Sequence, residues 1–233
     1  MSDIKIKKIF AFGSCRVQDN KYNIHSTYGP PYDYSIKSVV QFIDFFENPN
    51  KWNDLPSSAK KAIIWKEWVT FEKLKHKYEE ADIILVEISS FKLKMYNGIS
   101  HADWRLLRNG EDRIYRKNIR ANLSTQTYDD LINDIKIIKS KIKKPLIFQG
   151  QANLIFNNLE EFKDNNYRIK SRELIDKAII SLVNENNRII INEVFGNYYN
   201  QEHWRSKDDS WHYSDKGYKL IADKLNEIIK KIS

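Results

Sequence analysis

The sequence predicts an α/β protein with one domain in three layers, in which a doubly wound parallel sheet lies between two layers of helices. Amphipathic stretches long enough for helices alternate with short apolar runs. A length of 233 residues suits one sizeable core, so we predict a single domain over residues 1–233. The four apolar runs that predict strands are residues 4–12, 83–88, 145–148 and 188–194.

The apolar runs are rich in β-branched and aromatic residues, as strands of a parallel sheet covered on both faces tend to be. Residues 127–142 begin with carboxylates and end with lysines, an order that the helix dipole favours. Thr127 is the predicted N-terminal cap of this helix. Ser171 is predicted to cap a later helix in the same way. The predicted helices cover residues 38–46, 57–80, 127–142, 171–186 and 214–232.

Residues 91–125 form an irregular stretch between the second and third predicted strands. The stretch is too long for an ordinary loop. One interpretation is a lid or a substrate-binding excursion. The other is a packed α-hairpin without a role in chemistry, and both stay open on the sequence.

The formal charge of +8 admits nucleic acid, an anionic surface or an anionic substrate as a partner. Because the lysines are spread along helical segments and no recognised binding motif accompanies them, we predict no nucleic-acid partner. No apolar run approaches the about 18 residues of a membrane span, and no leader with a cleavage site is evident, so we predict a cytoplasmic protein. The spacing of histidines and acidic residues matches no metal site.

Gly13, Ser14 and Cys15 follow the first apolar run directly. In a doubly wound sheet, ligands bind beyond the carboxyl ends of the strands, where this block lies. Gly13 lets the chain turn sharply there. A helix starting at or after Cys15, the only cysteine, would favour its thiolate, and Arg16 adds a positive charge. The alternative is that Cys15 is a small buried apolar residue.

Asp209 and His212 stand three residues apart, immediately before the last predicted helix. A catalytic base needs an orienting carboxylate, and this spacing in a loop can bring the two side chains together. The alternative is a polar loop that only caps the helix through Ser214.

The two blocks together resemble the SGNH (GDSL-like) hydrolase superfamily, in which a Gly-x-Ser block follows the first strand and an Asp-x-x-His block precedes the last helix. Among its branches, this chain is similar to the GSCFA-type domains and to a capsule-polysaccharide biosynthesis family. The resemblance implies a flavodoxin-like fold, with Cys15 as nucleophile, His212 as base and Asp209 as its orienter. Ser14 is the alternative nucleophile.

The same resemblance calls for oxyanion donors, which the family takes from a Gly block and an Asn block. The second long strand here ends without that Asn block. Ser89 or Ser90 could replace it, with the backbone N–H of Cys15. The alternative is the polar cluster after the third strand, which includes Gln149 and Asn153.

The function that the resemblance implies is an acyl esterase or O-acyltransferase that acts on a carbohydrate, in surface polysaccharide modification. No cofactor is required, although acetyl-CoA or another acyl-CoA would suit as donor. Aromatic residues in segments that could border the site would suit sugar rings. The alternative function is a catalytically inactive binding module for an anionic glycan or a partner protein. The aromatic residues are Trp104, Trp204, Trp211, Tyr32 and Tyr34.

Overall fold

Five parallel strands form the main sheet in the computed structural model, which describes residues 7–14, 17, 26–30, 35–64, 68–90, 92–101, 107, 110–151, 159–195 and 213–232. The strands are β1 (Lys8–Phe12), β2 (Ser26–Tyr28), β3 (Ile83–Glu87), β7 (Leu146–Gln149) and β8 (Arg188–Ile189). Their order across the sheet is β2-β1-β3-β7-β8, and all four neighbouring pairs are parallel. This confirms the predicted α/β class with a parallel sheet. Residues 4–6 of the first predicted strand lie outside the described ranges.

Helices cover both faces of this sheet. The helices on one face share a buried apolar cluster with Phe10 and Phe12, whereas Ile9 and Ala11 pack with the helices on the other face. Side chains alternate along a strand, so successive residues of β1 enter the two cores. The helices are α1 (Ile36–Glu47), α2 (Pro49–Asn53), α3 (Ser57–Ile63), α4 (Phe71–Glu80), α5 (Gly110–Ala121), α6 (Tyr128–Lys141), α7 (Leu159–Leu182), α8 (Ile191–Phe195) and α9 (Asp215–Ile232).

The first core is strongly aromatic. The Phe10 ring meets the rings of Phe46 on α1 and Tyr78 on α4 edge to face, with centroids 6.0 and 5.5 Å away. The second core contains buried aliphatic residues of α8 and α9. The three predicted layers are therefore present, with α1, α4, α6 and α7 on one side of the sheet and α8 and α9 on the other.

Two helix caps follow the sequence prediction. Thr127 accepts a hydrogen bond from the N–H of Asp130, whose carboxylate accepts one from the N–H of Thr127, and this reciprocal pair begins α6. The hydroxyl of Ser214 accepts a hydrogen bond from the N–H of Gly217, at 3.2 Å, and begins α9.

Three element boundaries were predicted wrongly. Residues 57–80 form two helices, because α3 ends at Ile63 and Thr70 caps a new helix. The strand predicted over 188–194 ends at Ile189, because the carbonyl of Ile190 accepts from two amides of the helix that follows. Ser171 lies inside α7 and is no cap, since the helix begins at Leu159 in a stretch with few apolar residues.

Residues 91–125 are not an α-hairpin where they are described. They contain the helix α5 and three short strands, β4 (Lys92–Tyr96), β5 (Ile99–Ser100) and β6 (Leu123–Thr125). These strands form a small antiparallel sheet in the order β5-β4-β6. Asn97 and Gly98, both with positive φ, connect the first two of these strands in the tight turn that a hairpin favours.

None of the helices in the described ranges has the length and apolarity that crossing a membrane requires.

Candidate functional site

The predicted site lies at the carboxyl edge of the main sheet, where the strand order reverses. The chain passes from β1 to β2 on one side and later places β3 on the other side of β1. Ligands of doubly wound sheets bind in the crevice that such a reversal opens. Gly13 and Ser14 follow β1, and Ser89 and Ser90 follow β3, so the structure brings these four predicted residues to one edge.

Glu87, the last residue of β3, binds Ser14 through two hydrogen bonds. The backbone N–H and the hydroxyl of Ser14 both donate to Oε2 of Glu87, each at 2.7 Å. Both residues are 2% exposed. No role was predicted for Glu87, although a carboxylate inside the apolar run 83–88 is a signal in the sequence that could have identified it.

The polar cluster after β7 reaches the same carboxylate. The side-chain amide of Gln151 donates to Oε1 of Glu87 at 2.8 Å. Gln149 is fully buried, and its Cα is the register partner of Glu87. Gln149 and Gln151 of the predicted polar cluster therefore lie at the end of β7 next to Glu87, while their predicted role as oxyanion donors stays a prediction. Asn153 lies outside the described residues.

Gly13 makes room for Glu87. A Cβ added to Gly13 would lie 2.7 Å from Cβ and from Oε2 of Glu87, and also 2.7 Å from Cγ2 of Val17. Real Cβ atoms essentially never approach so closely. The glycine is thus required by the close approach of a neighbouring strand's side chain.

Ser89 and Ser90 are half-buried at the end of β3. The hydroxyl of Ser90 accepts a hydrogen bond from the N–H of Lys92 at 3.0 Å. The preceding amide, that of Ile88, donates to the carbonyl of Gln149 at 3.0 Å and so extends the sheet ladder. Two backbone amides at this edge, those of Ser14 and Ile88, are therefore committed to protein acceptors.

One described residue beside each of the two predicted catalytic blocks lies on the same side of the sheet. Val17, two residues after Cys15, is buried in the same apolar cluster as Tyr213, the residue after His212. Tyr213 packs edge to face against Phe195, with ring centroids 5.6 Å apart. Cys15, Asp209 and His212 themselves lie outside the described residues, as do the five aromatic residues considered for sugar binding.

Glu87 faces this same side. Ile83 and Leu85 of β3 belong to the cluster that contains Val17 and Tyr213. Since side chains alternate along a strand, Glu87 points toward the same layer. The hydrogen-bonded trio of Ser14, Glu87 and Gln151 thus lies on the side of the sheet where the apolar cluster contains Val17 and Tyr213.

A second buried carboxyl lies further along the carboxyl edge. Asp176 on α7 is 7% exposed, and its Oδ2 accepts a hydrogen bond from Nδ2 of Asn192 at 3.1 Å. Its other oxygen, Oδ1, is so close to Gly150 that a Cβ there would lie 2.0 Å from it. Burial, and to a smaller extent the nearby Glu193, raises the pKa of Asp176 to about 7, although the hydrogen bond from Asn192 opposes the rise.

Within the part of the chain that the structure describes, no three His, Cys, Asp or Glu side chains lie close enough to hold a metal ion.

Comparison with solved structures finds similarity to the crystal structure of the lipase Lip_vut3 from a goat rumen metagenome, at 12% identity and a TM-score of 0.44. The match covers 94% of this chain and 96% of that chain. No protein-family model matches the chain, and no curated protein matches it. The class of fold, an α/β protein with a five-stranded parallel sheet, therefore rests on the strand order and the two cores.

Proposed function

We propose that the protein is an SGNH-like acyl esterase or O-acyltransferase that forms a thioester at Cys15. The observation that carries this proposal is the shared apolar cluster of Val17 and Tyr213, since these residues, which stand two after Cys15 and one after His212 in the chain, lie on one side of the sheet. His212 would take the thiol proton, and Asp209 would hold the imidazole in the tautomer that accepts it.

The contacts of Ser14 favour Cys15 as the nucleophile. The Ser14 hydroxyl is buried and already donates a hydrogen bond to Glu87. A nucleophilic serine donates instead to a basic nitrogen and presents its oxygen to the substrate. Ser14 therefore stabilises the turn after β1, and Cys15, the next residue, is the nucleophile.

The reaction balances as two acyl transfers. The Cys15 sulfur attacks the acyl carbonyl, the bond to the leaving group breaks, and His212 returns the proton to that group. Water or a sugar hydroxyl then attacks the thioester, His212 takes its proton, the bond from the acyl carbon to the Cys15 sulfur breaks, and His212 returns the proton to that sulfur. We propose a carbohydrate acceptor, acetyl-CoA or another acyl-CoA as donor, and a cytoplasmic role in surface polysaccharide modification.

The test is acetylation of the protein by p-nitrophenyl acetate and by acetyl-CoA, followed by mass spectrometry of the peptide that contains Cys15. We expect a mass gain of one acetyl group at Cys15 in the wild type and in Ser14→Ala, and none in Cys15→Ala. Equal turnover by wild type and Cys15→Ala, without an adduct, would overturn the proposal.

A second candidate function is a binding module without catalysis. The missing Asn block after the second long strand favours it, because the resemblance takes an oxyanion donor from that block. Iodoacetamide titration distinguishes the two functions. A thiol pKa near the ordinary value of about 8.5, unchanged in His212→Ala, would support the binding module.

A further inference from the structure

We propose that Glu87 is a positioning residue for Cys15, because its carboxylate fixes the turn from which Cys15 follows. The inference rests on the proposed function. Through its two hydrogen bonds to Ser14, Glu87 acts on the residue that immediately precedes Cys15.

Both oxygens of the Glu87 carboxylate are engaged, and they join three strands. Oε2 accepts from the backbone and the hydroxyl of Ser14, beyond β1, while Oε1 accepts from Gln151, beyond β7. A planar group held at both oxygens has little freedom to rotate. The Ser14 nitrogen is thereby held in a fixed position relative to β3 and β7, which are central strands of the sheet.

Because Cys15 is bonded to Ser14, fixing the Ser14 nitrogen also restricts the position of Cys15. The Ser14 nitrogen is 2.7 Å from Oε2 of Glu87. One N–Cα bond and one Cα–Cα step separate that nitrogen from the Cα of Cys15, so the carboxylate lies within about 8 Å of this Cα. A catalytic group displaced by about 1 Å can lose about a hundredfold in rate, so a small shift of the turn matters.

The pattern of donors explains why a carboxylate is needed. Ser14 and Gln151 both direct N–H or O–H groups at residue 87, and a carboxylate is the side chain that only accepts. A glutamine at this position would satisfy Ser14 with its single oxygen but would direct its NH₂ at that of Gln151. Buried donors left without acceptors are destabilising.

Gly13 is also required for the contact between Glu87 and Ser14, since any side chain at Gly13 would collide with Glu87. Burying a carboxylate costs free energy that a well-packed apolar residue would not. Two such features at the one turn that precedes Cys15 indicate a role in the site, in addition to any effect on folding.

The experiment measures how strongly His212 activates the Cys15 thiol. The readout is the rate of Cys15 alkylation by iodoacetamide near neutral pH in the presence of His212, divided by the rate in a His212→Ala background. This activation ratio is determined for wild type, Glu87→Ala, Glu87→Gln and the double variant Glu87→Gln/Gln151→Glu. Circular dichroism and urea unfolding confirm that each protein is folded.

The control is Asp134→Asn. Asp134 is also a buried carboxylate, at 1% exposed, and it accepts from the side-chain amide of Gln126 at 2.8 Å and from Lys37 at 3.4 Å. It lies on α6, among the helices that cover the opposite face of the sheet from Glu87. It therefore matches the loss of a buried carboxylate without touching the turn.

We expect the activation ratio to fall by about tenfold or more in Glu87→Ala and Glu87→Gln, and to stay at the wild-type value in Asp134→Asn. The double variant should recover it, because the carboxylate introduced at position 151 then accepts from the amide introduced at position 87. A ratio that is unchanged in folded Glu87 variants would overturn the inference and leave the proposed function intact. A ratio near one in the wild type would instead overturn the proposed function and this inference with it.

Discussion

Replacing Asp176 with asparagine should make the free energy of unfolding less dependent on pH. Oδ2 of Asp176 accepts from Asn192, while Oδ1 lies against the backbone of Gly150 with no hydrogen-bond partner among the described residues. An ionised carboxyl is poorly solvated there, which is why burial raises its pKa from 3.8 to about 7.

The pKa of Asp176 determines the direction and the size of its effect on the free energy of unfolding. Below about pH 4 the group is protonated in both states, so it does not change stability. Between pH 4 and 7 the unfolded chain ionises while the folded protein keeps its proton, so stability falls as pH rises. The rise in the pKa of Asp176 corresponds to a loss of roughly 4 kcal/mol, complete above pH 7.

Urea unfolding of wild type and Asp176→Asn at several pH values between 4 and 8 measures the effect. The free energy of unfolding of the variant, minus that of the wild type, should rise by about 4 kcal/mol from pH 4 to pH 8. A constant effect of the new amide on stability would not change this rise. Asp223→Asn, which removes an exposed carboxylate from α9, is the control for the loss of a negative charge and should show no such gain. A difference between Asp176→Asn and wild type that is the same at every pH would refute the reasoning.

Three further outcomes are expected. Gly13→Ala should lower stability by about 1–3 kcal/mol in urea unfolding, because its Cβ would overlap Glu87 and Val17; an unchanged midpoint would contradict the close contact. Thr127→Ala should cost about 1 kcal/mol through the lost cap of α6, and Thr127→Ser should retain most of it. Burial lowers the pKa of His101 to about 4, so stability should fall by roughly 3 kcal/mol as pH drops from 6.5 through 4; His101→Gln should remove this acid sensitivity, and thermal unfolding across that range tests it.

Asp176 and His101 act in opposite directions over nearly the same pH range. The raised pKa of Asp176 favours the folded protein at the acid end, whereas the lowered pKa of His101 disfavours it there. Their contributions partly cancel in the wild type. The variants, measured against wild type at each pH, separate the two groups.

Local patterns predicted the elements whose signals do not depend on distant residues. The short apolar runs located β1, β3 and β7, and the cap at Thr127 located the start of α6. The run 188–194 was misassigned because an apolar run of that length is compatible with a strand or a buried helical turn. The chain in fact changes from strand to helix after Ile189.

The sequence by itself determined that Gly13, Ser14 and Cys15 follow a strand and that Asp209 and His212 precede the last helix. Those are matters of order along the chain. Only the tertiary structure decided what Ser14 does, because its partner Glu87 is 73 residues away and Gln151 is 64 residues further on. Parallel pairing of β1, β3 and β7 aligns their carboxyl ends, and no local pattern encodes which side chains meet there.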